Sequence, residues 1–179
     1  MDSVADPRHA AFEELAAEVL EPVRRFLARR TDPTTADDVL AEVLLVLWRR
    51  LDEVPEARLP WTYGVARHAL ANAERGARRQ RRLATRIAAV DPPSEVAPAD
   101  PEAVERVDAA LAELSDADAE LLRLWAWEDL GSAEIAEVLA ITPNAASIRL
   151  HRAREKFKAV LRKQRTGPGH EDVNEGERT

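Results

Sequence analysis

DLGSAEIAEVLAITPNAASIRLHRAREKFK, running from Asp129 to Lys158, is the stretch that decides how this chain is read. Ile135, Val138 and Leu139 give a short apolar helix face. Thr142-Pro143 then marks a sharp helix start, because threonine caps well and proline suits the first helical position. In the second helix Ala146, Leu150, Ala153, Phe157 and Leu161 fall on one buried row. Two helices joined by a tight turn, the second rich in cations, are how a major-groove reader looks in sequence. The face opposite the buried row carries Asn144, Ile148, His151 and Arg152, with Ser147 beside them. Ile148 points away from its own core, where a thymine methyl could meet it. Arg152 could donate to guanine, and Asn144 could pair with adenine. Arg149, Arg154 and Lys156 flank that face and suit phosphates. The plain alternative is an amphipathic helix with a charged, solvated side.

Composition agrees with a helical protein. Aromatics are 4% of 179 residues and Gly occurs six times, so little is left for a sheet. The expected class is all-α. The net charge of −7 would argue against nucleic acid if it were spread evenly, but it is not. Arg67 to Arg86 holds seven Arg against Glu74, and Arg149 to Arg165 holds eight Lys or Arg against Glu155. Between Asp91 and Glu120 stand ten acids against Arg106. With no Cys, disulfides, thiolate zinc sites and Cys nucleophiles are excluded. The four His stand on separate segments, and there is no Gly-rich phosphate loop or nucleophile motif. No enzyme activity, metal or cofactor is expected. No apolar run reaches membrane-spanning length and MDSVADPRHA has no signal-peptide core, so the expectation is a soluble cytoplasmic protein without membrane insertion.

Outward from the helix pair, Val90 to Pro101 (VDPPSEVAPADP) has four prolines and three acids and reads as a linker. Pro101–Glu113 restarts as helix. Ser115 should cap the next, with Asp118 near a capping-box position and Leu121, Leu122, Leu124 and Trp125 in its core. Trp127 reads as packing. Upstream, Phe12–Arg30 is helical, with Pro22 expected to kink or split it. Thr35–Leu51 follows, capped by Thr34 or Thr35, with Asp37 and Asp38 at the positive end of its dipole. Its polar stripe of Asp38, Glu42 and Arg49 is interrupted by Leu45, which is either a stray surface leucine or a partner contact ringed by acids. A loop, Glu53–Pro60, leads to a long helix from Trp61 to about Arg82, with Val65, Ala69 and Ala73 on its buried side. Another stripe of that helix carries Trp61, Gly64, His68, Asn72, Arg75, Arg79 and Arg82, with Arg78 in the same cationic run. Cations that track phosphates, near an aromatic that stacks on bases, suit single-stranded or melting DNA, unless Trp61 is core and the arginines are a solvated face. From Gln164 the tail is polar and expected to be disordered.

These motifs together resemble the group-four, extracytoplasmic-function sigma factors of bacterial RNA polymerase. ADDVLAEVLLVLWRRL (Ala36–Leu51) is similar to the region-two helix that binds the polymerase clamp. LPWTYGVARHALANAERGARRQRR (Leu59–Arg82) is similar to the helices that melt and read the minus-ten element. Leu111–Phe157, above all RLHRAR at Arg149–Arg154, is similar to region four, which reads the minus-thirty-five element. The likeness covers about Phe12 to Leu161. It implies two small helical domains: region two over 8–86, a linker over 87–101, region four over 102–163, then a tail over 164–179. It implies a promoter-specificity subunit without catalysis of its own, and as partners core RNA polymerase (clamp and flap), promoter DNA and an anti-sigma factor. Asp38, Glu42 and Leu45 become polymerase contacts. The loop Glu53–Pro60 matches the one that captures a flipped minus-ten base. Trp61, His68, Asn72, Arg75, Arg78, Arg79 and Arg82 become minus-ten contacts; Asn144, Ser147, Ile148, Arg149, His151, Arg152, Arg154 and Lys156 become minus-thirty-five contacts. Ala140 stands in the helix-turn-helix turn where the family usually has Gly, a difference worth on the order of 1 kcal/mol if the backbone there is left-handed. The rival is a stand-alone helix-turn-helix regulator that binds without polymerase, usually as a symmetric dimer. The region-two likeness and the lack of a dimerisation heptad argue against it.

Overall fold

The computed structural model describes residues 6–83 and 101–165, without the side chains of 78–83, 101–103 and 165. The expected linker and tail therefore lie outside the described residues for most of their length. Among these described residues seven α-helices occur in the order α1 Pro7–Ala28, α2 Pro33–Arg49, α3 Arg58–Leu83, α4 Pro101–Ala112, α5 Asp116–Ala126, α6 Ser132–Leu139 and α7 Pro143–Arg165. A single 3-10 turn, Leu51–Glu53, follows α2. Among the described residues there is no strand.

The first two helices start on the same device. Asp6 accepts from the Arg8 amide at 3.0 Å, and Asp32 accepts from the Thr35 amide at 3.0 Å and the Thr35 hydroxyl at 2.7 Å. A proline stands next to each cap, at the first helical position. The cap of α2 is thus Asp32, not Thr34 or Thr35, and its first turn holds no acid, so Asp37 and Asp38 lie beyond the reach of its N-terminal charge. Pro22 sits inside one continuous helix and does not split it. Leu15, Val19, Val23, Phe26 and Leu27 on α1 and Val39, Leu40, Val43 and Leu47 on α2 are buried. Each large apolar side chain so buried contributes roughly 1.5–3 kcal/mol before chain entropy is charged against it.

On α3 the buried face is Thr62, Tyr63, Ala66, Ala69 and Leu70, with Val65 and Ala73 only half-buried, so the row lies one step round from the expected Val65–Ala69–Ala73. Tyr63 stacks on Phe26 at 5.0 Å between ring centres. Trp48 packs with Phe12 edge to face at 5.3 Å, beneath the Arg8 guanidinium.

In the second half Ser115 caps α5, accepting from the Asp118 amide at 3.2 Å. Leu121, Leu122 and Leu124 are core, but Trp125 is 39% exposed, against expectation. It lies at the outer edge of α5, beneath the Arg154 guanidinium at 4.4 Å. Trp127 is half-buried against the core. The α6–α7 turn closes on Ala140 at φ 53°, ψ 47°, with the Ile141 amide donating to the Ala136 carbonyl at 2.9 Å. That left-handed closure is the one glycine normally fills.

The two halves share one core. Helix α3 packs directly on α6. A methyl group built on Gly64 would lie 3.6 Å from the Val138 carbonyl oxygen and 3.8 Å from its Cα. Beside this contact, Arg30 at the end of α1 pairs with Glu128 at 3.0 Å and Glu120 at 3.3 Å, and Arg29 pairs with Glu128 at 3.1 Å.

Candidate nucleic-acid interface

Helix α7 is held by its cap and its buried row. The Ala145 amide donates to Thr142 Oγ1 at 3.2 Å. Ala146, Leu150 and Ala153 are buried and Phe157 is half-buried, which fixes the helix rotation. Rotation in turn exposes Asn144, Ser147, Ile148, Arg149, His151 and Arg152 together. Ile148 is 45% exposed, an apolar group on an otherwise polar face. Leaving it in water forgoes a burial gain that contact with an apolar group in a groove would recover.

The flanking cations divide. Lys156 donates to Asp118 at 2.6 Å, and that pairing, with the Ser115 hydroxyl, holds the Asp118 carboxyl below the usual carboxylate range. Arg154 turns back across α5 onto Trp125. Glu155 accepts from Lys158 at 2.8 Å, which lowers its carboxyl as well. Of the expected phosphate contacts on α7, Arg149 stays with the exposed face, while Arg154 and Lys156 already have partners within the chain.

The second face lies on α3. His68 Nδ1 and Asn72 Nδ2 are 3.3 Å apart, and Arg75 donates to Asn72 Oδ1, so three of the expected minus-ten residues form one chain of hydrogen bonds along the helix. His68 and Arg75 are exposed. Trp61 is half-buried against the core, and the Arg50 guanidinium lies 5.4 Å from its ring centre. Gly64, between Trp61 and His68 on the stripe, is where α6 makes its close approach. The side chains of Arg78, Arg79 and Arg82 lie outside the described residues.

A third surface lies on α2. Leu45 is 54% exposed, with exposed Glu42 one turn away and exposed Asp38 two turns away on the same side. The expectation of a leucine in an acidic stripe holds as geometry.

Two features were not anticipated from sequence. One is an apolar groove of about 400 Å³ between α4, α5 and α7, lined by Val107, Leu111, Leu122, Trp125, Phe157 and Leu161, with Arg123, Arg154 and Lys158 also bordering it. The other is the ionic cluster of Arg29, Arg30, Glu120 and Glu128. Its members are far apart in sequence, so no local spacing announces it. Among the described residues no group of His, Asp and Glu is placed to hold a metal ion, and no helix is long and apolar enough to cross a membrane.

Residues 104–157 match the family described as Sigma-70, region 4. Over 169 residues, 90% of this chain and 95% of the relative, the sequence is 32% identical to the RNA polymerase sigma factor CarQ of Myxococcus xanthus. In three dimensions the chain is similar to the sigma factor RpoE, solved in complex with the anti-sigma factor NepR from Bartonella quintana. That likeness has a TM-score of 0.66 at 17% identity and covers 84% of this chain and 96% of that one. It is also similar to CnrH, solved in complex with the cytosolic domain of CnrY, with a TM-score of 0.57 at 23% identity over 86% of this chain and 89% of that one. A third similar structure is the PhyRSL–NepR complex from Sphingomonas sp. Fr1, with a TM-score of 0.60 at 17% identity over 92% of this chain and 98% of that one. The structural likenesses speak to the fold alone.

Proposed function

This chain belongs to the sigma-70 family of RNA polymerase sigma factors, in its extracytoplasmic-function group, and on that footing we propose how its surfaces divide the work. It is a sigma subunit that directs transcription at a specific set of promoters. The division proposed is region two over 8–86 and region four over 102–163, joined through 87–101.

In this reading α7 enters the major groove of the minus-thirty-five element. Arg152 donates to guanine, Asn144 pairs with adenine, Ile148 meets a thymine methyl, and Ser147 and His151 complete the reading face. Arg149 holds a phosphate. Arg154 and Lys156 reach phosphates only by leaving Trp125 and Asp118. Helix α3 takes the melted minus-ten strand: Trp61 stacks on a base, and His68, Asn72 and Arg75 contact the strand in the orientation their hydrogen bonds already impose. Arg78, Arg79 and Arg82, later in the sequence of the same helix, are proposed to contact that strand as well. The α2 surface of Asp38, Glu42 and Leu45 docks on the polymerase clamp. The apolar groove between α4, α5 and α7 suits an apolar helical segment of the flap. An anti-sigma factor is the proposed inhibitor, acting by covering one or more of these faces; the relatives RpoE and CnrH were each solved with such a protein bound or with a partner's cytosolic domain.

The observation that carries the proposal is the outer face of α7. Asn144, Ser147, Ile148, His151 and Arg152 are exposed together, and Arg152 has no side-chain partner among the described residues. A core helix would not leave Ile148 in water, and a purely solvated helix would not need it. The test is run-off transcription by core RNA polymerase over a genomic promoter library, with and without the protein. A defined promoter set that appears only in the complete reaction supports the proposal. Tight, polymerase-independent binding to the same DNA by the chain alone would favour the stand-alone regulator instead.

A further inference from the structure

Arg154 is exposed and, among the described residues, makes no hydrogen bond and no ion pair; what holds it is the Trp125 ring, 4.4 Å from its guanidinium. The hold is weak. A cation over an exposed ring shifts an equilibrium by about two- to fivefold. Lys156, on the other flank of α7, is held differently, by the Asp118 carboxylate at 2.6 Å. Arg154 shares one side of α7 with exposed His151 and Ser147, three and seven residues earlier. Turned outward, its side chain would extend the DNA-reading face by one cation.

The Trp125 ring has a second neighbour. It lines the apolar groove between α4, α5 and α7, and Arg154 stands on the border of that groove. The apolar surface runs on along α4, where exposed Val104 lies in one row with Val107 and Leu111. Val104 and Leu111 stand about two helical turns apart, enough for a short helix to lie against. Arg123 and Lys158 also border the groove, so the segment that fits is apolar with acids along one flank. Such a segment and the Arg154 guanidinium compete for the same ring. A guanidinium trapped beneath an apolar segment would lose hydration that nothing there replaces, so it leaves.

We propose that Trp125 restrains Arg154 in the free subunit, and that an apolar helical segment of the polymerase flap, on filling the groove, releases it to the DNA phosphates. The proposal rests on the readings of the groove as the flap site and of α7 as the major-groove reader. It makes Trp125 a positioning residue for DNA that it never touches. By linkage the effect runs both ways: DNA that draws Arg154 outward bares the ring and tightens the groove for its partner by the same factor.

The test uses the full chain and a fluorescein-labelled, mixed-sequence DNA duplex of about 20 bp, since phosphate contacts carry no sequence information. Affinity by anisotropy is compared in the parent, Trp125→Leu, Arg154→Gln and the double variant, with circular dichroism verifying each fold. Trp125→Leu should bind the duplex about two- to fivefold tighter, and the gain should vanish when Arg154→Gln is also present. A merely structural Trp125 would not show that dependence. Equal affinity of Trp125→Leu and the parent, or a gain that survives Arg154→Gln, overturns the restraint. A synthetic peptide of the flap's apolar helical segment is then added to saturation, its binding followed by calorimetry. The DNA affinity of the parent should rise by the same factor, and that of Arg154→Gln should not respond. This arm stands by itself should Trp125→Leu fail to fold. Peptide that binds while DNA affinity stays level or falls overturns the release and leaves the groove reading standing. Peptide that does not bind, with or without self-association of the chain, overturns the groove reading and the release with it.

Discussion

Replacing Ala140 by glycine should make this protein more stable, although it deletes a methyl group. Ala140 closes the helix-turn-helix turn at φ 53°, ψ 47°, where a β-carbon crowds the following carbonyl at a cost of roughly 1–2 kcal/mol. The side chain is exposed, so no packing is lost with it. Against the relief stands the greater freedom of glycine in the unfolded chain, about 0.4–1 kcal/mol. The net expectation for Ala140→Gly is a gain of about 0.5–1 kcal/mol. If the described core melts as one unit, that raises the midpoint by about 1–4 °C. Asp129, at φ 54°, supplies the control. Aspartate tolerates the left-handed region better than alanine, so Asp129→Gly should gain less. Thermal and urea unfolding of the three proteins side by side make the measurement. A lower midpoint for Ala140→Gly, or a larger gain for Asp129→Gly, would refute the reasoning, since it would mean that turn strain is not what limits this motif.

Other outcomes are expected of the proposed sites. Arg152→Ala should reduce run-off transcription from cognate promoters by about tenfold or more, the value of one lost base contact, while pull-down of core polymerase is unchanged. Charge reversal at Asp38 or Glu42 should do the converse, weakening polymerase pull-down and sparing the fold by circular dichroism. Asp118→Asn releases Lys156 from its ion pair, so non-specific duplex binding should strengthen and the slope of log affinity against log salt should steepen by about one. Asp32→Ala should cost about 1 kcal/mol through loss of the α2 cap. The Thr35 hydroxyl and then the Thr35 amide lower the Asp32 carboxyl from its ordinary 3.8. A carboxyl that is lower in the folded state stabilises above its unfolded value, and that contribution is lost as pH falls through the folded one. Wild-type stability should therefore drop below about pH 4, and Asp32→Ala should show a shallower acid limb in melts between pH 2 and pH 6.

Sequence patterning revealed the helices well where apolar spacing and caps coincide. Thr142-Pro143 and Ser115 start their helices as expected, and the row from Ala146 to Phe157 turns inward as its period requires. The misses have local causes. Asp32 takes the α2 cap because Pro33 already has the backbone angle of a first helical residue, and the true start then lies upstream of the threonines. Pro22 leaves α1 whole, since packing of Val19, Val23 and Phe26 outweighs one missing hydrogen bond. Trp125 was expected in the core because aromatics usually are, but the neighbouring Leu122 and Leu124 already fill the inward side of α5. The candidate DNA faces were legible as helical stripes. Their internal pairing was not: that Lys156 is tied to Asp118, and Arg154 to Trp125, depends on how α5 crosses α7, and no spacing along one helix encodes a crossing.

Helix α6 has eight residues, too few for a helix to persist alone in water. Its neighbours α3, α5 and α7 lend it its shape. A genetic screen for altered promoter use should therefore recover lesions in α3, near Gly64 or Ala66, that never approach the minus-thirty-five bases. Such alleles would act at a distance by loosening the scaffold on which α7 is aimed, and suppressors should cluster on the facing side of α6. A map of mutations ordered by DNA contact alone would misfile them.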